Sequence, residues 1–85
     1  MHTQEQSVEF AYEIGEEVVA HLGATQILDV ERGVELPAGC VPDWTICAVI
    51  GRVERRGRHG YVLRFRRHGD ACVSVVPESA IEGVA

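Results

Sequence analysis

The sequence predicts a mostly β fold: a small barrel of five to six short strands with a C-terminal 3₁₀ turn. Three observations carry this. Apolar and polar residues alternate in short runs from Val8 onward, the period of a half-buried strand. Glycine-bearing turns cut the second half into three runs, as in an antiparallel meander. Finally, 85 residues with 46% apolar and 25% charged side chains suit one globular domain spanning residues 1–85, with residues 1–7 as a disordered tail. A chain of this size buries only about 60% of its unfolded surface, so its stability margin is thin and dimerisation is a natural remedy.

The run Val8-Glu9-Phe10-Ala11-Tyr12-Glu13-Ile14 alternates and reads as a strand. Helical spacing of Val8, Ala11, Gly15, Val18 and Leu22, with Thr3 and Gln6 as a capping box, is the rival. Gly15 in mid-helix would cost about 1 kcal/mol and Val18-Val19 also disfavours helix. Strand is therefore preferred, broken or bulged at Gly15 and continued by Val18 to Leu22. Gln26 to Val30 is a further short strand, and Gly33 to Asp43, with Pro37, Gly39 and Pro42, a long irregular connection. Trp44 to Arg56 is the longest β-type run, followed by a hairpin turn over Arg56-Gly57-Arg58-His59-Gly60. Tyr61 to Arg67 is a strand, His68-Gly69-Asp70 a tight turn, and Ala71 to Val76 a strand closed by Pro77. Pro77 to Ala80 forms one 3₁₀ turn before Ile81.

The first residues show neither a positive segment nor an apolar one, so no signal peptide is expected, and no apolar run reaches the ~20 residues of a membrane span. Cys40, Cys47 and Cys72 make an odd count without framework spacing, which favours reduced thiols in a cytoplasm. With His59 or His68 they supply four zinc ligands on paper, but the Cys-x6-Cys spacing fits no usual knuckle and Cys47 and Cys72 read as small buried hydrophobes. No cofactor, metal or catalytic residue is implied. His59, His68 and Asp70 read as solvent-exposed turn residues, and Gly57 and Gly60 as turn glycines. Phe10, Tyr12 and Trp44 are candidates for an aromatic cage, set against plain packing.

Charge is the sharpest feature. Seven of eight basic residues, all arginines, fall between Arg52 and Arg67, while the chain before Arg52 has nine acidic residues and only Arg32; the net charge is −5. With Tyr61, Leu63, Phe65, Val49 and Val53 facing inward, Ile50, Arg52, Val62, Arg64 and Arg66 face outward, Arg52 opposite Arg64. With Val73 and Val75 inward, Ser74 and Val76 join that outer face. The expected site is then Arg52, Arg64, Arg66 and Ser74 beside an apolar end of Ile50, Val62 and Val76. Neutralisation of the arginines by carboxylates is the plain account, including a carboxylate bridging Arg52 and Arg64. Contact with an anion or nucleic acid is the sharper one, since the guanidinium fork suits phosphate and carboxylate.

The segments Phe10…Ile14-Gly15-Glu16-Glu17-Val18, Gly51-Arg52-Val53, Tyr61-Val62-Leu63 and Val73-Ser74-Val75-Val76-Pro77-Glu78-Ser79-Ala80-Ile81-Glu82 resemble SH3-like barrels, small bacterial domains whose last strand ends in a 3₁₀ turn. A more distant resemblance is to plasmid-borne type II dihydrofolate reductases, tetramers around a central pore lined by the Gln and Tyr of Val-Gln-Ile-Tyr-Pro. Here Ser74 and Val76 stand at those places, so the resemblance does not carry the reductase activity with it. The apolar strip of Ile50, Val62 and Val76 flanked by arginines points instead to a non-enzymatic SH3-like module that binds a protein partner, or itself as a homodimer or higher oligomer, through the meander's outer face. Nucleic-acid binding through Arg52–Arg67, or an anionic small molecule held by Ser74, Arg64 and Arg52 at an oligomer interface, are the alternatives. No membrane partner is expected.

Overall fold

A computed structural model describes residues 9–85; the expected tail over residues 1–7 and the Thr3–Gln6 cap lie outside them. The fold is mostly β: β1 (Glu17–His21), β2 (Ile27–Asp29), β3 (Val34–Leu36), β4 (Trp44–Arg55), β5 (Arg58–Arg67), β6 (Asp70–Pro77), a 3₁₀ turn η1 (Glu78–Ala80) and β7 (Ile81–Val84). All seven strands form one antiparallel sheet in the order β3-β2-β6-β5-β4-β1-β7. The sheet is not closed, because no ladder among the described residues joins β3 to β7. Its concave side wraps one core, in which Val18, Leu22, Ile27, Val49, Tyr61, Leu63, Cys72 and Val76 are at most 1% exposed. No helix of the described residues is long and apolar enough to cross a membrane.

The long strands and the 3₁₀ turn fall where alternation and proline placed them. Residues 9–16 do not form the expected strand. Phe10 and Tyr12 instead lay their rings on Tyr61, at centroid distances of 5.7 and 5.5 Å, and the Tyr61 hydroxyl accepts the Tyr12 N–H at 3.2 Å. Their alternation reports half-buried side chains packed on the core, not paired backbone. Gly15 turns the chain at φ 98° and donates its N–H to the Val49 carbonyl at 2.7 Å.

The connection read as irregular holds β3. Asp29, 1% exposed, accepts the N–H groups of Glu31 and Arg32 at 3.1 Å each, an Asx-type turn that sends the chain back from β2 into β3. Gly33, at φ 69°, completes this turn by donating to the Asp29 carbonyl at 2.8 Å.

The hairpin turns are tighter than expected, and this changes the faces. Arg55 pairs with Arg58 and Arg67 with Asp70, so each loop has two residues, Arg56-Gly57 and His68-Gly69, with φ of 53°, 78°, 52° and 85° in that order. Positive φ at both central positions is the type I′ pattern, whose twist matches the flanking strands. His59, Gly60 and Asp70 therefore lie in strands and not in turns.

Replacing a three-residue turn at 68–70 by a two-residue one shifts the pairing of β6 by one, which moves its side chains to opposite faces. Tyr61, Leu63 and Phe65 stand opposite Val76, Ser74 and Cys72. Ser74 (3% exposed) and Val76 (1%) thus belong to the core, and Val75 (60%) faces out, which corrects the expected assignment of all three.

A bulge on β4 makes the second change. The register shifts between Val49 and Gly51, leaving Ile50 as the extra residue. Beyond it Arg52 pairs with Tyr61 on the inner side, while Val53, expected inside, is 41% exposed opposite Gly60.

Candidate functional site

The outer face of β4, β5 and β6 collects apolar side chains in register. Gly51, Val62 and Val75 form one cross-strand row, and Ala48, Arg64, Val73 and Leu28 the next. Ile46 and Val75 are each 60% exposed, with Ile50, Val53 and Leu28 close to 40%. Contiguous exposure of this kind on a small domain marks a contact surface more often than a solvated one. Gly51 keeps the bulge flat, since a Cβ there would sit 3.2 Å from Val62 Cγ2.

Of the expected site, the structure brings Ile50, Val62, Arg64 and Arg66 to this face. Arg52 does not join them: its guanidinium lies over the Phe10 ring, 4.9 Å from the centroid, and Phe10 in turn stacks on His59 at 4.5 Å. Arg52 and Arg64 are not opposite one another, so no carboxylate is needed between them; Arg64 pairs with Ala48 and Val73. Ser74 donates its hydroxyl to the Gln26 carbonyl at 2.7 Å within the core, so Ser74, Arg64 and Arg52 cannot converge on one anion.

Neutralisation of the arginine block is slight. Arg66 reaches Glu31 at 4.0 Å across an exposed gap and donates to the Gly69 carbonyl at 2.9 Å, and Arg67 donates to the Cys40 carbonyl at 3.3 Å. Among the described residues no carboxylate forms an ion pair with Arg52, Arg55, Arg56, Arg58 or Arg64. Three carboxylates are engaged elsewhere. Asp29 and Asp70 hold Arg32 at 3.8 and 3.3 Å, and Glu78 holds His59 at 3.1 Å.

Two hollows flank Val75 and Pro77, and sequence reasoning anticipated neither. One of about 700 Å³ is lined by Val53, Arg55, Arg56, Arg58, His59, Gly60, Val75, Val76 and Pro77. The other, of about 540 Å³, lies between residues 24–28 and the end of β6. The available signal was the Arg55-Arg56-Gly57-Arg58 tip itself, which a two-residue turn gathers at one end of the hairpin.

The remaining candidates separate. Phe10 and Tyr12 meet at Tyr61, while Trp44, 60% exposed, stands beside His21 with centroids 6.1 Å apart, so the three make no cage. Cys47 and Cys72 are buried, and burial pushes the Cys47 thiol up to about 11. His59 is no solvated turn residue, being clamped between Phe10 and Glu78. No group of three His, Cys, Asp or Glu side chains among the described residues is arranged to hold a metal.

His21 links the ends of the fold: Nδ1 meets Asp43 at 3.1 Å and Nε2 meets Glu82 on β7 at 3.4 Å. The hydrogen bond that Asp43 accepts from His21 raises the His21 pKa above 6.5, and the same bond, joined by the Gly23 N–H, lowers that of Asp43 below 3.8. A raised histidine stabilises fully below its ordinary value and loses this as pH rises through the folded value; a lowered carboxylate contributes only above its own. The linkage is therefore strongest between 3.8 and 6.5 and fades above. His21→Gln is expected to flatten the fall in melting temperature on the alkaline side of that window, by a small amount because the pair is exposed. Parallel wild-type and variant curves against pH would contradict it.

No protein-family model matches the chain, and neither the curated proteins nor the solved structures contain a match.

Proposed function

We propose that this chain is a non-enzymatic interaction module of the SH3-like kind, which binds an acidic, apolar-bearing protein segment on the outer face of β4–β5–β6. The carrying observation is the apolar band of exposed Ile50, Val53 and Val75 with half-buried Val62, beside Arg55, Arg58 and Arg64, whose guanidinium groups have no carboxylate partner among the described residues. The SH3-like reading is supported by the meander followed by η1 and β7, the order found in the sequence resemblance. A reducing cytoplasm suits the odd cysteine count.

Charge favours a different protein over a second copy. An isologous dimer applies one patch to itself, and about a central axis Arg64 and Arg66 would face their own counterparts. Nucleic acid is the weaker reading, because Trp44, the aromatic residue on this face, lies roughly 35 Å from the arginine tip along β4 and offers no stacking platform there.

Selection from a randomised peptide library tests the reading. Retained peptides should be enriched in Asp, Glu and apolar residues, and Ile50→Asp with Val75→Asp should weaken them at least tenfold, about 1.4 kcal/mol. Basic peptides, or peptides indifferent to both substitutions, would refute it.

A further inference from the structure

We infer that the outer face has a built specificity: an extended acidic peptide adds along the free end of β6 and places a carboxylate among Arg55, Arg56 and Arg58. This rests on the outer-face reading and adds the shape and charge of the ligand.

The backbone supplies the first half. Val30 donates to the Ala71 carbonyl at 3.0 Å, and Leu28 and Asp29 pair with Val73 and Cys72. Alternate residues of a strand direct both N–H and C=O to the same edge. Ala71, Val73, Val75 and Pro77 therefore address the β2 side, while Cys72, Ser74 and Val76 address β5. Continued register would bring Gln26 to Val75, but the ladder stops at Leu28, and the Gln26 carbonyl accepts the Ser74 hydroxyl. Val75 thus presents an N–H and a C=O to the hollow of about 540 Å³, with no protein partner among the described residues. An open edge is a template for an added strand, and Pro77, lacking an N–H, ends it.

Side chains supply the second half. Val75 and Pro77 line both hollows, so the open edge runs directly into the arginine tip. Leu28 and Val75, 40% and 60% exposed, flank the path with apolar surface. Gly60 keeps the floor of the larger hollow low. Arg55 and Arg58 stand directly across the hairpin, and like charges so placed repel unless an anion lies between them. Neighbouring Glu54 does not fill that role, since its Oε2 accepts the Gly57 N–H at 2.7 Å. A carboxylate from outside, gripped by the guanidinium forks, removes the repulsion. Backbone pairing at Val75 selects a peptide over a nucleic acid.

The test is calorimetric titration of the full chain with a blocked synthetic peptide alternating glutamate and valine, against its lysine–valine counterpart. The acidic peptide should bind and the basic one should not. Arg55→Glu with Arg58→Glu, exposed substitutions whose fold is checked by circular dichroism, should weaken binding about tenfold. Hydrogen exchange at the Val75 amide should slow in the complex. Equal binding of the two peptides, indifference to the arginine substitutions, or an unprotected Val75 amide would overturn the inference. If Ile50→Asp still weakens the peptide while the Val75 amide stays unprotected, the edge placement fails and the outer-face reading stands. Dimerisation without peptide that the arginine substitutions abolish would give the groove to a second copy. Binding of a duplex oligonucleotide there, undisplaced by peptide, would give it to nucleic acid. Either result overturns the proposal.

Discussion

Tyr61→Ala is expected to lower the unfolding free energy by about 3–5 kcal/mol, a large share of the 5–15 kcal/mol typical of a whole domain. Tyr61 is fully buried at the centre of the core, and its hydroxyl emerges to accept the Tyr12 N–H. Truncation removes the ring on which Phe10 and Tyr12 rest and detaches residues 10–12 from the sheet. Arg52 then loses the Phe10 ring beneath it. Tyr61→Phe separates the contributions. It keeps the packing and leaves one half-buried N–H without an acceptor, so it should cost only about 1 kcal/mol. Urea denaturation of the two variants checks this; equal losses would show that the ring contributes little beyond its hydrogen bond.

Gly60→Val is expected to destabilise by about 1–3 kcal/mol or more, and to disable the outer face even where folding survives. A Cβ at position 60 would lie 2.9 Å from Val53 Cγ2 and 3.1 Å from the Val76 carbonyl oxygen. The first contact can relax by turning an exposed valine. The second cannot, because that carbonyl belongs to the ladder between β5 and β6. Relief requires the strands to part where Val75 and Pro77 frame both hollows. Gly60→Ala should show the same effect at smaller size. Thermal unfolding and peptide titration together test this, and wild-type stability with wild-type binding would contradict it. At Gly57, by contrast, nothing obstructs a side chain, and only its positive φ of 78° opposes substitution.

The comparison of these glycines shows how much the sequence discloses. Alternation and turn residues located β4, β5, β6 and the 3₁₀ turn closely, because one core fixes alternate positions of these strands, among them Val49, Tyr61, Leu63, Phe65 and Cys72. Pairing parity was not legible. Arg-Gly and His-Gly are weaker hairpin signals than Asn-Gly, so the sequence points to longer loops, and one residue of difference sends Ser74 and Val76 inside and Val75 outside. Nothing in the local pattern around Gly51 says that the strand bulges there, that Ile50 is the extra residue, or that Arg52 turns toward Phe10. β2 falls within the strand expected over Gln26 to Val30, but its hairpin partner β3 has only three residues, too few for periodicity to register. Its signal was the Asp29 and Gly33 turn chemistry, which becomes decisive only once Asp29 is seen buried. The candidate surface was legible as an arginine-bearing apolar face through Ile50, Val62, Arg64 and Arg66. The smaller hollow depends on where β2 leaves β6, which no local pattern encodes.

The most direct measurement is an amide chemical-shift map of the isotope-labelled chain titrated with a library-selected peptide. A binding module that uses the outer face should show its largest changes along Ile50–Val53, Gly60–Arg64 and Val73–Pro77. Changes confined to Phe10–Tyr12 and β7, or an unperturbed map with every selected peptide, would contradict that assignment.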